Sequence, residues 1–108
     1  MFYGLDVHKE FIQVCAVDAK GAKRKEYRIG ATAEAIEAWA QRLGKRDQVV
    51  LEATFHTWAI HAIICRFAER VAVAHPLEVK AIAHAKIKTD KVDAYTLARL
   101  LQADFLPE

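Results

Sequence analysis

The chain has 108 residues, 54% of them hydrophobic and 28% charged, which is enough apolar material for one core and too much for a disordered chain. Sixteen basic against fourteen acidic residues leave a formal charge of +2, so net charge by itself argues for no nucleic-acid partner and only a local basic cluster could. No apolar run approaches the roughly 18 residues of a membrane span, no secretory leader opens the chain, and the five histidines (His8, His56, His61, His75, His84) make no zinc-ligand spacing.

Phe2 to His8 reads as a first strand, apolar on both alternations except at Asp6. A strand of that kind is central in a sheet, so Asp6 is expected to be enclosed. An enclosed carboxylate must be satisfied, either structurally by nearby N–H groups or by a ligand. Phe11 to Asp18 forms a second strand, Asp18-Ala19-Lys20-Gly21 a turn, and Arg24 to Ile29 a third strand, basic in the manner of an exposed edge. Such short links permit only an antiparallel meander. Cys15 and Cys65 lie in apolar runs and are expected as buried, reduced thiols.

Thr32 is placed to cap a helix whose Ile36, Trp39, Ala40 and Leu43 share one face before Gly44, which makes Trp39 a core residue. Gln48 to Glu52 is a short strand ending in a glutamate, and the carboxyl ends of strands in α/β sheets are where ligands bind. A helix follows over about Thr57 to Glu69, with Ile60, Ile63, Ile64 and Phe67 on its stripe. Val71 to Ala74 is the fifth strand, and Pro76 opens a further helix at its favoured first position. Ala94, Leu97, Ala98 and Leu101 mark the buried stripe of the last one.

The order βββαβαβαα describes a single α/β domain over residues 1–108, a mixed five-stranded sheet with a ribonuclease-H-like layout and right-handed crossovers. In that layout the first and fourth strands are parallel neighbours in mid-sheet, so Asp6 and Glu52 project side by side.

The segment Lys86-Ile87-Lys88-Thr89-Asp90-Lys91-Val92-Asp93 precedes the last helix. Asp90 and Asp93 are three apart and would share a helix face; Asp90 as an N-cap with Asp93 in the first turn explains them without any ligand. Asp90 also falls four residues before Ala94, on the inward stripe, so a last helix packed across the sheet would deliver both aspartates beside Asp6 and Glu52. Four carboxylates converging without a cation repel one another. Mg²⁺ or Mn²⁺ resolves this, since such ions take oxygen ligands and keep waters for a phosphate substrate, and a pair of ions about 3.5–4 Å apart suits in-line phosphoryl displacement. Lys86, Lys88 and Lys91 are then either phosphate contacts or a solvated basic loop.

Tyr3-Gly4-Leu5-Asp6-Val7-His8-Lys9, Leu51-Glu52-Ala53-Thr54 and Lys88-Thr89-Asp90-Lys91-Val92-Asp93-Ala94, in that order, resemble the N-terminal domain of DEDD-type insertion-sequence transposases. That family includes the Piv-type DNA invertases and the bridge-RNA-guided recombinases, and the domain is similar to the RuvC Holliday-junction resolvase. The resemblance covers essentially the whole chain. It implies that Asp6, Glu52, Asp90 and Asp93 form the acidic tetrad that binds Mg²⁺ or Mn²⁺, and that the activity is DNA strand cleavage and exchange during transposition. It further implies DNA as partner, a guide RNA in one branch of the family, a homo-oligomeric full-length protein, and a cytoplasmic, nucleoid-associated setting in a bacterium or archaeon.

Two departures stand out. Phe55-His56 replaces the glycine usual after the Glu-Ala-Thr segment, which bears on the local turn. Family members also continue into a second domain with a serine nucleophile, whereas this chain contains no serine and ends at Leu106-Pro107-Glu108. An isolated RuvC-like domain, or a fragment whose partner is the missing C-terminal transposase domain, is expected, able to bind metal and nucleic acid but not to complete recombination alone. Two other readings remain open: a stand-alone structure-selective nuclease using water on the same metals, and a non-catalytic nucleic-acid-binding or assembly module whose binding is indifferent to EDTA. A sugar-kinase or actin-like ATPase fits poorly, because Val7-His8-Lys9 offers neither the glycine nor the hydroxyl that class needs after its first aspartate.

Overall fold

The computed structural model describes residues 1–52, 56–74 and 93–104. Its elements are β1 (Phe2–Val7), β2 (Phe11–Val17), β3 (Lys23–Gly30), α1 (Ala33–Ala40), β4 (Gln48–Glu52), α2 (Thr57–Ile64), β5 (Arg70–Ala74) and α3 (Ala94–Gln102). The helix expected from Pro76 lies outside the described residues. The strands form one mixed sheet in the order β3-β2-β1-β4-β5. β2 is antiparallel to both β1 and β3, while β4 is parallel to both β1 and β5. This is the expected meander followed by parallel crossovers, an α/β fold consistent with the ribonuclease-H-like layout.

Local chemistry explains the turns. Asp18 Oδ1 accepts from the backbone N–H groups of Lys20 and Ala22, and Gly21 takes the left-handed conformation (φ 84°) that closes the β2–β3 turn. Those N–H bonds, with the nearby Arg24 and Lys20 cations, hold the Asp18 carboxyl below its ordinary range. Thr32 caps α1 by accepting from Ala35 N–H at 3.1 Å.

The side-chain alternation divides the core into two layers. Tyr3, Leu5, Ile12, Val14, Ala16, Val49 and Leu51 face α1 and α2, meeting Ile36, Trp39, Ala40, Ile60 and Ile64. The opposite alternation sends Val50, Ala72 and Ala74 against Leu97, Leu100 and Leu101 of α3, and Cys15 and Val17 against Ala94 and Ala98. Central strands apolar on both faces follow from helices covering both sides of the sheet.

Two expectations are corrected. First, α2 ends at Ile64, not near Glu69. Phe67 and Ala68 N–H both turn back to Ile64 O, and Glu69 N–H donates to Asp47 O at 2.8 Å, so the chain leaves the helix to begin β5 beside β4. Phe67 still packs on the core, which is why it continues the helical pattern without being helical. Second, Cys65 is exposed while Cys15 is buried, because Cys65 forms the C-cap of α2 on its solvent side.

Candidate active site

The even-numbered residues of β1 fix the geometry of the site. Gly4 lies on the α3 face, and α3 rests directly against it: a Cβ at Gly4 would stand 2.0 Å from Ala94 O and 2.7 Å from Ala98 N. Asp6, two residues on, therefore projects to the same face. On β4 the register pairs Gly4 with Val50 and Leu5 with Leu51. One step further along both strands stand Asp6 and Glu52, and Glu52 shares the face of Val50. By strand alternation, two carboxylates thus stand at the carboxyl ends of adjacent parallel strands on one side of the sheet.

α3 runs from this end of β1 toward the β2–β3 turn. Its first residue, Ala94, covers Gly4, whereas Gln102 near its other end donates to Ala19 O at 2.8 Å and approaches Gly21. Its N-terminus is therefore directed to the end of the sheet that carries Asp6. Asp93 is the N-cap there, with an extended backbone (φ −83°, ψ 174°) and Oδ1 accepting from Thr96 N–H at 2.8 Å. The capping role expected for Asp90 belongs to Asp93. Asp90, Lys86, Lys88 and Lys91 lie outside the described residues.

Asp6 is mostly enclosed, its side chain 16% exposed, and accepts a hydrogen bond at 3.0 Å from Nε2 of His8. The His8 ring stacks on Phe11 (centroids 4.5 Å apart, planes 21° from parallel), and the Arg28 guanidinium lies over the other ring system of this column, 4.1 Å from the Phe11 centroid. Arg28 Nε is fixed in turn by Gln13 Oε1 at 2.9 Å. His8 was not among the candidate residues. The signal was present in the period-2 alternation, which places Gly4, Asp6 and His8 on one side of the chain.

Beside this row, burial pushes the Cys15 thiol up to about 11, with the Glu26 carboxylate adding to the effect, the Lys23 ammonium opposing it and Asp93 adding a smaller push. Cys15 is thus a packed, unreactive neighbour and not a nucleophile.

The donors suit a hard divalent cation. Neighbouring strands are about 4.8 Å apart, and two oxygens on one Mg²⁺ at about 2.1 Å each lie roughly 3 Å from one another. Side chains of Asp and Glu length at adjacent strand ends can close that difference by rotamer choice. Among the described residues no three His, Cys, Asp or Glu side chains are already gathered tightly enough to hold an ion. Asp6 and Glu52 each follow the last pair of the β1–β4 ladder, Leu5 with Leu51, whereas Asp93 is turned back onto its own helix.

A family model described as a transposase, of the IS110 DEDD type, matches residues 3–107. No curated protein matches the chain. Among the described residues no helix is long and apolar enough to cross a membrane.

Proposed function

The chain belongs to the IS110-type DEDD transposase family, and from that premise we propose that it is the metal-binding carboxylate domain through which a transposase cleaves and exchanges DNA strands. The observation that supports this reading is the parallel β1–β4 ladder, whose last pair is Leu5 with Leu51, so that Asp6 and Glu52 are the next residue of each strand. Asp90 and Asp93 complete the ligand set from the segment leading into α3. Bound there, Mg²⁺ or Mn²⁺ would supply electrostatic stabilisation of the attacking and leaving oxygens of a phosphodiester.

The chain's own residues prepare that site. His8 orients the Asp6 carboxylate through its 3.0 Å contact, and Phe11 holds the His8 ring by stacking. Gly4 lets α3 approach closely enough to bring Asp93 to the same end of the sheet. Lys86, Lys88 and Lys91 are the phosphate contacts of this reading. DNA is the substrate of this reading; a guide RNA, self-association of the full-length protein and a cytoplasmic, nucleoid-associated setting come with it by family likeness.

Calorimetric titration with Mn²⁺ tests the tetrad. The wild-type chain should bind, and Asp6→Asn combined with Asp93→Asn should abolish the heat; unchanged binding in the double variant would remove the assignment. A second reading is a nuclease that uses water as nucleophile on the same carboxylate site. Incubation with branched and linear DNA in Mg²⁺ separates the two. Cleavage by the chain alone supports the nuclease, and intact DNA at every protein concentration rejects it. DNA binding that persists unchanged in EDTA, without cleavage or Mn²⁺ heat, would instead mark a non-catalytic module.

A further inference from the structure

On the face of the sheet away from Asp6 and Glu52, a cleft of about 430 Å³ opens between the β3 edge and the end of α1, lined by Tyr3, Lys25, Tyr27, Trp39, Arg42 and Leu43. It runs on into a groove of about 450 Å³ that shares Tyr27, Trp39 and Arg42. Among the described residues neither is lined by a carboxylate. Lys25 and Arg42 are both exposed, and among the described residues neither side chain has an ion-pair partner. Their basic neighbours are engaged: Lys23 pairs with Glu26, Arg24 with Asp18 and Arg66 with Glu37.

The wall is prepared for a polar ligand. Trp39 Nε1 donates to the Tyr27 hydroxyl oxygen at 2.7 Å, which leaves the Tyr27 O–H itself to donate elsewhere. Tyr3 stands edge-on to Trp39, centroids 5.5 Å apart at 84°, and its phenol is kept protonated by burial and by the Asp47 charge. Asp47 is already occupied by the N-terminal ammonium at 3.1 Å and by Gly44 N–H at 2.7 Å. The cleft lies at the carbonyl end of α1, whose partial negative charge disfavours an anion; two facing cations outweigh it.

We propose that this cleft is a second nucleic-acid contact, holding the phosphate backbone of a strand segment other than the one being cut. Two cations and tyrosine hydroxyls without a competing carboxylate select a phosphate. The open, continuous groove suits a chain of phosphates better than a single small anion. Trp39 is only 5% exposed, so the contact is to the backbone and not by stacking a base on the indole. The proposal rests on the reading of the chain as a DNA-processing domain, but it uses residues on the opposite face from the carboxylates.

The test uses the full chain with Trp58→Phe, which leaves Trp39 as the sole tryptophan beside the cleft. Its emission is followed during titration with a short oligo(dT) strand in EDTA, with inorganic phosphate as a parallel arm. We expect oligo(dT) to change Trp39 emission. Lys25→Ala plus Arg42→Ala should weaken binding by about fivefold or more at low salt and flatten the salt slope by about 1.4, the value for two lost phosphate contacts on a single strand. Lys25→Arg plus Arg42→Lys should preserve both, which guards against a folding defect. Asp6→Asn should leave this signal unchanged, so a failed Mn²⁺ titration and a failed cleft are told apart. An alanine pair that binds as well as its parent, with an unaltered salt slope, overturns the proposal. So does saturation by inorganic phosphate at the same phosphate concentration, which would make the cleft a small-anion site.

Discussion

Replacing Gly4 by alanine tests how the helix and the sheet are joined. The added Cβ would stand 2.0 Å from Ala94 O, 2.7 Å from Ala98 N and 3.0 Å from Ala94 C. A tolerable C···O approach is about 3.3 Å, so α3 must retreat by roughly 1.3 Å. All three obstructing atoms are backbone, so no side-chain rotation relieves them, and truncating Ala94 or Ala98 to glycine would not help. A gap of 0.5–1 Å already forfeits about a quarter to a half of a van der Waals contact, and the retreat opens the whole seam of Ala94, Leu97, Ala98, Leu100 and Leu101. Overpacking ordinarily costs about 1–3 kcal/mol; with a helix backbone as the obstacle we expect about 3 kcal/mol or more. At about 4–8 °C per kcal/mol for a domain near this size, Tm should fall by roughly 12–24 °C. Urea and thermal unfolding followed by circular dichroism measure both quantities. Gly44→Ala is the control, since a Cβ there meets Asp47 Oδ2 at an ordinary 3.5 Å. A Gly4→Ala loss below about 0.5 kcal/mol would refute the close approach of α3 and, with it, the route by which Asp93 reaches the site.

Asp93→Ala should cost about 1 kcal/mol by removing the cap on Thr96 N–H, whereas Asp93→Ser should keep most of that stability and still weaken Mn²⁺ binding; equal Mn²⁺ affinity in the serine variant would make Asp93 a cap and nothing more. Tyr27→Phe strips the acceptor from the buried Trp39 indole and should destabilise by about 1–3 kcal/mol, read by urea midpoint, with a neutral result excluding that bond. Iodoacetamide at pH 8 should label Cys65 quickly and Cys15 only after unfolding, since only Cys65 is exposed; equal labelling rates in the native protein would contradict the packing of α3. Because burial raises the Cys15 thiol to about 11 from an ordinary 9.0, the unfolded chain loses that proton first as pH rises. The contribution of Cys15 to stability is complete below pH 9 and lost progressively toward pH 11, and a Cys15→Ala variant should lack this part of the alkaline decline in unfolding midpoint.

Much of the fold was legible because period and turn chemistry are local. The alternation in Phe2–Val7 and Phe11–Val17, the Asp18–Gly21 turn and the Thr32 cap each carry their own physical reason in a few consecutive residues. α2 was overestimated for the same reason that makes periodicity useful. Phe67 sits where a helical stripe would place it, yet it reaches the core from a turn, and only the pairing of β5 with β4 forces the chain out of the helix at Ile64.

The sequence by itself determined the meander and the parallel placement of β4 beside β1, because a strand apolar on both faces has nowhere to lie but mid-sheet. Tertiary structure alone decided how α3 meets that sheet. Nothing local says that Gly4 must lack a side chain so that Ala94 can touch β1, or that α3 starts at Ala94 with Asp93 rather than Asp90 as its cap. Each depends on which distant backbone arrives at a given face, and that is fixed by packing across the whole sheet rather than by any residue's neighbours in the chain.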